Sequence, residues 1–501
     1  MAANREGAAA YEHVPEYRLL SLMLTSFVED QFYRSAQDTL LDLKGLIREV
    51  GPLFAAKATS YVRNEHGMRS ITHAATCEIV RLVSEETHQK PGEGRGPEWT
   101  KAFVADTIRR VDDAQEMVAY WLHTYGKPLP HALLKGIRLS LQDRGRYQLA
   151  KYRGEGKEVN LTDLMRLTHP SPTNGESRQA WEDLTYGRLS AAGETWEAML
   201  TQAGQDADGE EDKAARKAEV WRTLIVDERL PYFALLRNLR NIAQQARDAL
   251  PMALEQLRNP DSIRKSLVLP FRFITAADTL AGADLDASAL REIRLALDAA
   301  IEVSLENVPY LSGRTCVALD DSGSMVSRLR KGAATPAEIG AGFAAVLVKV
   351  NNADLMLFSD TARYVTVNNQ DSTLSIIEQI RHRYRGAGTN HHAPFELAEK
   401  QRTAYDRFVV LSDEQGWMPH GYLRYYGMGN PKEVLEAYKR SAGVDPFVYS
   451  FDLQGYGTTM FQGEKIFLLS GWSSETLKIM STLEGDRNAL IKQVDEYRSW
   501  R

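Results

Sequence analysis

Between Pro309 and Thr315 the pattern of the chain changes, and that change constrains the fold more than any other feature. Before it, apolar residues recur every three or four positions in one segment after another, with turns marked by Gly, Pro, Asp or Asn. After it, short apolar runs alternate with helical stretches, which is the pattern of a doubly wound α/β domain. The expected architecture is multi-domain: an all-α helical region over residues 1–310, built as a solenoid of stacked helical hairpins, then an α/β doubly wound, Rossmann-like domain over 311–501.

In the first region helices are expected at Tyr17 to Val28, Ala36 to Val50, Trp99 to Val111, Ala114 to Tyr125, His131 to Leu141, Pro231 to Leu250 and Ala287 to Glu306, the last behind the cap Asp286. No strand pattern competes there. Gln202 to Glu219 is rich in Asp, Glu, Lys, Ala and Gly, lacks large apolar residues and is expected to be a solvated excursion or a frayed helix. In the second region the expected strands are Thr315 to Leu319, Asp354 to Phe358, an antiparallel edge at Tyr364 to Val367, Arg407 to Leu411, Phe447 to Phe451 and Ile466 to Leu469.

With 501 residues, 43% of them hydrophobic, the chain can bury enough apolar surface for two or three domains. Its two cysteines, Cys77 and Cys316, stand in no C-x-x-C or Cys/His cluster, so zinc fingers and disulfide frameworks are disfavoured and a reducing compartment fits. No stretch approaches the roughly 18 uncharged apolar residues of a membrane span, and no apolar leader segment opens the chain. The expectation is a soluble, cytoplasmic, monomeric protein. The net charge of −6 argues against nucleic-acid binding only in bulk: from Ser312 onward 22 Lys and Arg meet 22 Asp and Glu, while residues 1–311 hold 39 against 45. Contact with nucleic acid would need a local basic face.

The string Leu319-Asp320-Asp321-Ser322-Gly323-Ser324-Met325 follows the first expected strand, so its first carboxylate falls at the strand's C-terminal edge, where ligand sites of such sheets collect. Asp-x-Ser-x-Ser is the layout of a metal ion-dependent adhesion site. Gly386-Ala387-Gly388-Thr389-Asn390 brings a hydroxyl in on a flexible loop, and Val409-Val410-Leu411-Ser412-Asp413 is a strand ending in a carboxylate. Asp320, Ser322, Ser324, Thr389 and Asp413 form an oxygen-only, undercharged set suited to a hard divalent cation, Mg²⁺ first, that keeps an open position for a partner's acidic oxygen. The alternative is that Asp320 and Asp413 merely tie loops at the strand ends. Asp321 is expected to face away, toward solvent or behind the ligands. His391 and His392 are adjacent and so point apart, with no third ligand in view.

Lys135 to Lys157 is the best basic window of the acidic half, with Lys135, Arg138, Arg144, Arg146, Lys151, Arg153 and Lys157 against Asp143 and Glu155. On the helix at His131 to Leu141, Leu133, Ile137 and Leu141 share the core face, leaving Lys135 and Arg138 on another. Such cations suit phosphates, and Tyr147 and Tyr152 offer rings to unstacked bases. The alternative is a helix face that is simply solvated.

Several segments together resemble the TROVE module of the Ro autoantigen family: Phe32-Tyr33-Arg34, Tyr147-Gln148-Leu149-Ala150-Lys151-Tyr152-Arg153-Gly154, Leu164-Met165-Arg166-Leu167-Thr168-His169-Pro170, Leu230 to Leu239 (LPYFALLRNL) and Leu269-Pro270-Phe271-Arg272-Phe273. The second half resembles a von Willebrand factor A domain. The resemblance covers nearly the whole chain and implies a ring of HEAT-like helical repeats that binds Y RNA on its outer face and takes single-stranded ends of misfolded or defective noncoding RNAs into its hole. It also implies that Y RNA can tether the ring to an exoribonuclease, polynucleotide phosphorylase, for RNA quality control.

Within that resemblance the outer-face Y RNA residues match Lys151 and His169, with Arg153 or Lys157 as a further basic position. His169 precedes Pro170 and is alternatively a helix cap. Arg237 and Arg240 either line the hole or cross-link helices, whereas Asn238 and Asn241 favour a structural role; Arg34, Arg264, Lys265 and Arg272 are weaker candidates of the same kind. No phosphate-binding Gly-rich loop, His-Glu-x-x-His helix or nucleophile elbow occurs, so a non-catalytic scaffold is expected. The other function class is a protein-binding A domain that clasps a partner's carboxylate through its metal.

Overall fold

The computed structural model describes residues 2–3, 9–12, 14–25, 36–88, 97–154, 156–189, 195–266, 268, 270–327, 335–413, 431–453, 458–459, 465–469, 480, 484, 489–498 and 500. The described chain forms two compact units. One comprises 14–198 with 488–501, and the other 1–13 with 199–487.

The first unit is helical. The helix expected from Trp99 to Val111 stops at Thr107, because Asp113 accepts the N–H groups of Arg109 and Arg110 at 3.0 and 2.9 Å and thereby starts the next helix at Val111. The helix Trp99–Thr107 packs on α1 (His131–Leu141) at Gly136, where an added Cβ would collide with Val104. Leu133, Ile137 and Leu141 are buried while Lys135 and Arg138 are exposed, the two faces that the spacing predicts. Three shorter helices follow: α2 (Arg146–Lys151), α3 (Leu161–Thr168) and α4 (Gly175–Thr185).

The second unit begins with helices and ends in a sheet. Gln202 to Glu219 is mostly helical, not an excursion: one helix runs to Gln205 and another spans Glu210–Val226, with Glu210, Glu211 and Asp212 in its first turn and the pairs Lys213–Glu210 and Arg216–Asp212 along its surface. Acidic residues at a helix start and oppositely charged neighbours three or four apart support its exposed first half, and the burial of Ala218, Trp221, Leu224 and Ile225 anchors the second. The expected helix from Pro231 to Leu250 divides into α5 (Tyr232–Gln245) and Leu250–Leu257, since Ala246 leaves helical geometry and Pro251 begins a new first turn. Next comes α6 (Ala287–Ser304), capped as expected by Asp286, whose carboxylate accepts from the Ala289 N–H.

Helical structure gives way to strand between Asn307 and Thr315. The strands β1 (Thr315–Asp320), β2 (Asp354–Phe358), β3 (Ala362–Tyr364), β4 (Arg407–Ser412), β5 (Phe447–Asp452) and β6 (Ile466–Leu469) form one sheet in the order β3-β2-β1-β4-β5-β6. All neighbours are parallel except β3, the antiparallel edge, which lies two residues earlier than expected at its start and ends at Tyr364. Every residue of β1 and β4 is buried, as a parallel sheet covered on both faces requires. One face packs Cys316, Ala318, Met356, Phe408 and Val410 against Phe395 and Tyr438. On the other lies α7 (Pro336–Asn351), which approaches so closely that a Cβ on Gly340 would strike Leu319. A further helix, α8 (Thr373–Arg381), leads toward the Gly386 loop.

The expectation that no strand precedes residue 310 is corrected at the N-terminus. Ala2–Ala3 pairs with Ala9–Glu12, which pairs antiparallel with Thr458–Thr459. Pairing partners more than 400 residues away leave no local pattern, and Ala-rich sequence has little strand propensity of its own. Phe32 to Arg34 and Leu269, two pieces of the family resemblance, lie outside the described residues.

Candidate functional site

The chain leaves β1 and returns through α7 to β2 on one side, whereas β4 lies on the other, so the β1–β4 crevice is the point where the winding reverses. Asp320 ends β1. In the parallel register Leu319 faces Leu411, so Asp320 lies opposite the end of β4, whose Ser412 donates its hydroxyl to Asp320 Oδ2 at 2.6 Å. Asp413 follows directly. The other carboxylate oxygen, Oδ1, accepts the Ser322 N–H at 2.8 Å, which folds the loop back so that the Ser322 and Ser324 hydroxyls stand 3.4 Å apart.

Backbone bonds bring in the third loop. Gly323 N–H donates to Ala387 O and Gly386 N–H to Asp321 O, both at 2.9 Å, while Asn390 N–H donates to Ser359 O at 2.7 Å. Thr389 is thereby held between the first loop and the end of β2. Gly386 has φ 71°, a left-handed conformation that favours glycine at this turn. The loops that carry the five residues therefore lie at the C-terminal edge of β1 and β4, and Asp320, Ser322, Thr389 and Asp413 are all buried. Burial pushes the Asp320 carboxyl up to about 6, against the opposing effect of hydrogen bonds from Ser412 and Ser322.

The donor set is two carboxylates and three hydroxyls, all oxygen. Among the described residues no group of three His, Cys, Asp or Glu side chains is placed to hold a metal ion. A buried carboxylate held among hydroxyls fits a hard cation such as Mg²⁺. His391 and His392 are buried beside Thr389, and burial pushes them down to about 3 and about 4 respectively, so both imidazoles are neutral near pH 7.

Asp321 does not face solvent. It is fully buried, pairs with the Arg363 guanidinium at 2.5 Å and accepts the Arg385 N–H at 2.9 Å. Arg363 also donates to Arg383 O. Asp321 thus staples the β3 edge and the loop before Gly386 to the first loop. Neither this staple nor the Ser412 hydroxyl bond follows from the string itself, because both depend on strand neighbours.

On the first unit, the basic window separates into exposed and engaged cations. Lys135, Arg138 and Lys157 are exposed, and Arg138 donates to the Ser171 hydroxyl at 2.6 Å. Arg144 is an internal brace: its guanidinium donates to the carbonyls of Ile108, Arg109 and Ser140 and to Gln148, and burial lowers its pKa. Arg146 pairs with Asp183 at 2.5 Å, and Arg153 donates to Leu189 O at 2.8 Å. Lys151 pairs with Glu197 at 2.9 Å and lies over the rings of Tyr147 and Tyr152, 5.5 and 5.9 Å from their centres. Partial burial would lower its amine, but Glu197 and Tyr147 outweigh it and raise the pKa.

His169 does two things. Its backbone sits left-handed at φ 47°, and its N–H donates to Met165 O at 2.9 Å to close α3, while its side chain is exposed. In the second unit Arg237 and Arg240 lie on the open side of α5 with Phe233, and neither makes an ion pair or side-chain hydrogen bond among the described residues. Asn238 is buried and donates to Ala234 O, and Asn241 donates to Asn238, the structural roles expected of them. Arg264 pairs with Glu306, whereas Arg34 lies outside the described residues.

Comparison with known proteins then places the chain. Residues 314–482 match the model of the Ro60 von Willebrand factor A domain, and residues 188–292 match the TROVE domain. The basic window precedes both matched ranges. The sequence is 24% identical over 248 residues to the RNA-binding protein RO60 of Caenorhabditis elegans, covering 47% of this chain and 37% of that protein. It is also 35% identical over 89 residues to telomerase protein component 1 of Mus musculus, covering 17% of this chain and 3% of that one. The chain thus aligns with less than two thirds of the length of either relative. Its fold is similar to the crystal structure of the Ro protein of Deinococcus radiodurans, with a TM-score of 0.62 and 16% identity over 94% of this chain and 100% of that one.

Proposed function

We propose that this chain, in which a match to the TROVE domain precedes a match to the Ro60 A domain, is a Ro60-like protein and a non-catalytic RNA-binding scaffold. The observation that carries this is the basic window of α1, α2 and the segment after them, where Lys135, Arg138 and Lys157 are exposed and Lys151 lies over the Tyr147 ring, in a half of the chain that is acidic in sum. Phosphates need exposed cations that can exchange partners, and unpaired bases need ring faces.

In this proposal Y RNA binds at Lys151 and His169, with Arg153 or Lys157 beside them, and single-stranded ends of misfolded noncoding RNAs bind at a second place that includes Arg237 and Arg240. The bound Y RNA would link the protein to an exoribonuclease such as polynucleotide phosphorylase in RNA quality control. A cytoplasmic, monomeric protein fits these roles, and among the described residues no helix is long and apolar enough to cross a membrane. The test is affinity for a stem-loop RNA with a 3′ single-stranded tail, compared with its blunt form and with transfer RNA. Equally poor binding of all three would overturn the proposal.

A second role is favoured by the Asp320 cluster. Asp320, Ser322, Ser324, Thr389 and Asp413 would hold Mg²⁺, whose contribution is an electrophilic position open to a carboxylate or phosphate oxygen. The chain's own residues set that site: Ser412 and the Ser322 N–H orient Asp320, and the Asp321–Arg363 pair fixes the loop. This makes the A domain a docking site for an acidic group, or, as the alternative function, a metal-dependent protein adhesion module. Replacing Asp320 and Ser322 by Ala separates the two: loss of a protein partner with RNA affinity intact supports adhesion as a function of its own.

A further inference from the structure

Beyond the cations of the basic window, the end of α4 presents a ring and a guanidinium for which the sequence pattern gave no warning. Tyr186 is 70% exposed, and Arg188 lies over its ring at 4.8 Å from the centre. Their positions are built, not incidental. Gly187, at φ 69°, reverses the chain at the helix end; its N–H donates to Leu184 O at 3.1 Å and the Arg188 N–H donates to Asp183 O at 2.7 Å. This pair of bonds is the Schellman helix termination, which sets the direction of the residues on either side of the glycine.

Side chains anchor the same turn to its neighbours. Asp183 accepts Arg188 Nε at 3.3 Å and Arg146 at 2.5 Å, and Arg146 directly precedes Tyr147 on α2. Thr185 donates to the sulfur of Met165 on α3, the residue whose carbonyl accepts the His169 N–H. One carboxylate therefore ties Arg188, over the Tyr186 ring, to Arg146, the residue before Tyr147, and the turn also abuts the helix that His169 terminates. Along α2 the cation–ring arrangement continues through Lys151 to Tyr152, whose ring carries Arg110 at 4.7 Å.

We propose that Tyr186 and Arg188 form a stacking platform for an unpaired nucleobase, continuous with Tyr147 and Lys151, so that this face takes a single-stranded RNA segment in addition to a helical stem. The inference rests on the proposed RNA-binding function. Arg188 covers one side of the Tyr186 ring and leaves the exposed remainder for a base, while its charge meets the adjoining phosphate; a base so placed gains stacking on a ring already polarised by a cation. Tyrosine stacks all four bases, so the platform selects unpaired nucleotides without reading sequence. Exposed rings alone would also suit a protein partner, but the Arg188 guanidinium over the ring, with Arg146 on the same carboxylate, favours a polyanion.

The experiment uses the full-length protein, a short single-stranded RNA carrying 2-aminopurine, and a blunt RNA hairpin without unpaired bases. Tyr186→Leu is expected to lower affinity for the single strand at least about fivefold and to abolish the stacking-induced quenching of 2-aminopurine. Hairpin affinity should stay within about twofold, and Tyr186→Phe should retain both single-strand affinity and quenching because it keeps the ring. The side chain is exposed, so the variants should melt as the parent does. If Tyr186→Leu binds and quenches like the parent, or loses single strand and hairpin alike, the platform is overturned while RNA binding stands. A parent protein that binds neither RNA overturns the RNA-binding proposal itself and the platform with it.

Discussion

The cluster around Asp320 and the basic face around Lys151 use charge in opposite ways. At the sheet edge Asp320, Asp321 and Asp413 are buried, and Asp321 has a dedicated arginine. On the helical face Lys135, Arg138 and Lys157 stand at the surface, and Lys151 leans on tyrosine rings and on Glu197, a carboxylate that is itself half exposed. A buried charge stripped of its partner is strongly destabilising, whereas an exposed pair contributes little and can be exchanged. The first arrangement suits a fixed ligand set and the second suits a polyanion that must displace what is already there.

The sharpest way to break this contrast is to apply one substitution to both regions. Arg363→Ala leaves Asp321 buried without its ion-pair partner and should cost on the order of 3 kcal/mol of unfolding free energy, while Arg188→Ala should stay within about 0.5 kcal/mol. Denaturant titration of the two variants would show it, and equal losses would erase the distinction. Next in size is Asp320→Ala. Losing even a supporting hydrogen bond behind a metal ligand commonly costs 10–100-fold, so removing this carboxylate should weaken Mg²⁺ binding at least about a hundredfold by calorimetry, with affinity for tailed RNA unchanged. A parallel fall in RNA affinity would mean that the two regions do not act separately.

A smaller effect is expected on the basic face. Lys151→Ala combined with His169→Ala should reduce Y RNA affinity about tenfold, and tailed-RNA affinity less, with the dependence of log affinity on log salt becoming shallower by about one unit. Filter binding at several salt concentrations measures both, and the same loss on both RNAs would contradict two binding places.

The smallest effect lies inside the helical unit, which has a buried charge cluster of its own. His73 stands 2.8 Å from Glu116 and 3.3 Å from Asp113, with Arg63 and Arg69 paired to the same Asp113. Burial would lower the imidazole pKa, but Asp113 and Glu116 outweigh it and raise it above 6.5. A raised folded-state pKa stabilises fully below the unfolded value of 6.5 and ceases to do so as pH climbs through the folded value. The stability advantage of the parent over His73→Gln should thus be greatest just below pH 6.5 and shrink above it, as followed by thermal unfolding. An advantage that does not change with pH would exclude the ion pairs as its source.

Much of the A domain was legible because its signals are local. A buried parallel strand is a short apolar run, so β2 and β6 have the expected limits and β1 and β4 extend one residue further, to Asp320 and Ser412. Asp320, Ser322 and Ser324 alternate within one loop, and a string of five residues suffices to see them. The helical half was less legible where helices end. Thr107 ends one because Asp113 caps the next, and Tyr186 and Arg188 face one surface only because Gly187 turns the chain and Asp183 reaches back to Arg146.

What the sequence by itself determined is the division into helices followed by a doubly wound sheet, the family resemblance, and the residue types at the strand-edge cluster. Apolar periodicity and loop strings are properties of neighbours along the chain, and they survive without knowledge of any distant contact. Only the tertiary structure decided which charges meet: that Arg144 braces the carbonyls of Ile108 and Arg109, that Asp321 turns inward to Arg363, and that Asp183 joins Arg146 to Arg188. A long cationic side chain reaches several ångströms in many directions, so its partner is chosen by packing and not by its place in the sequence.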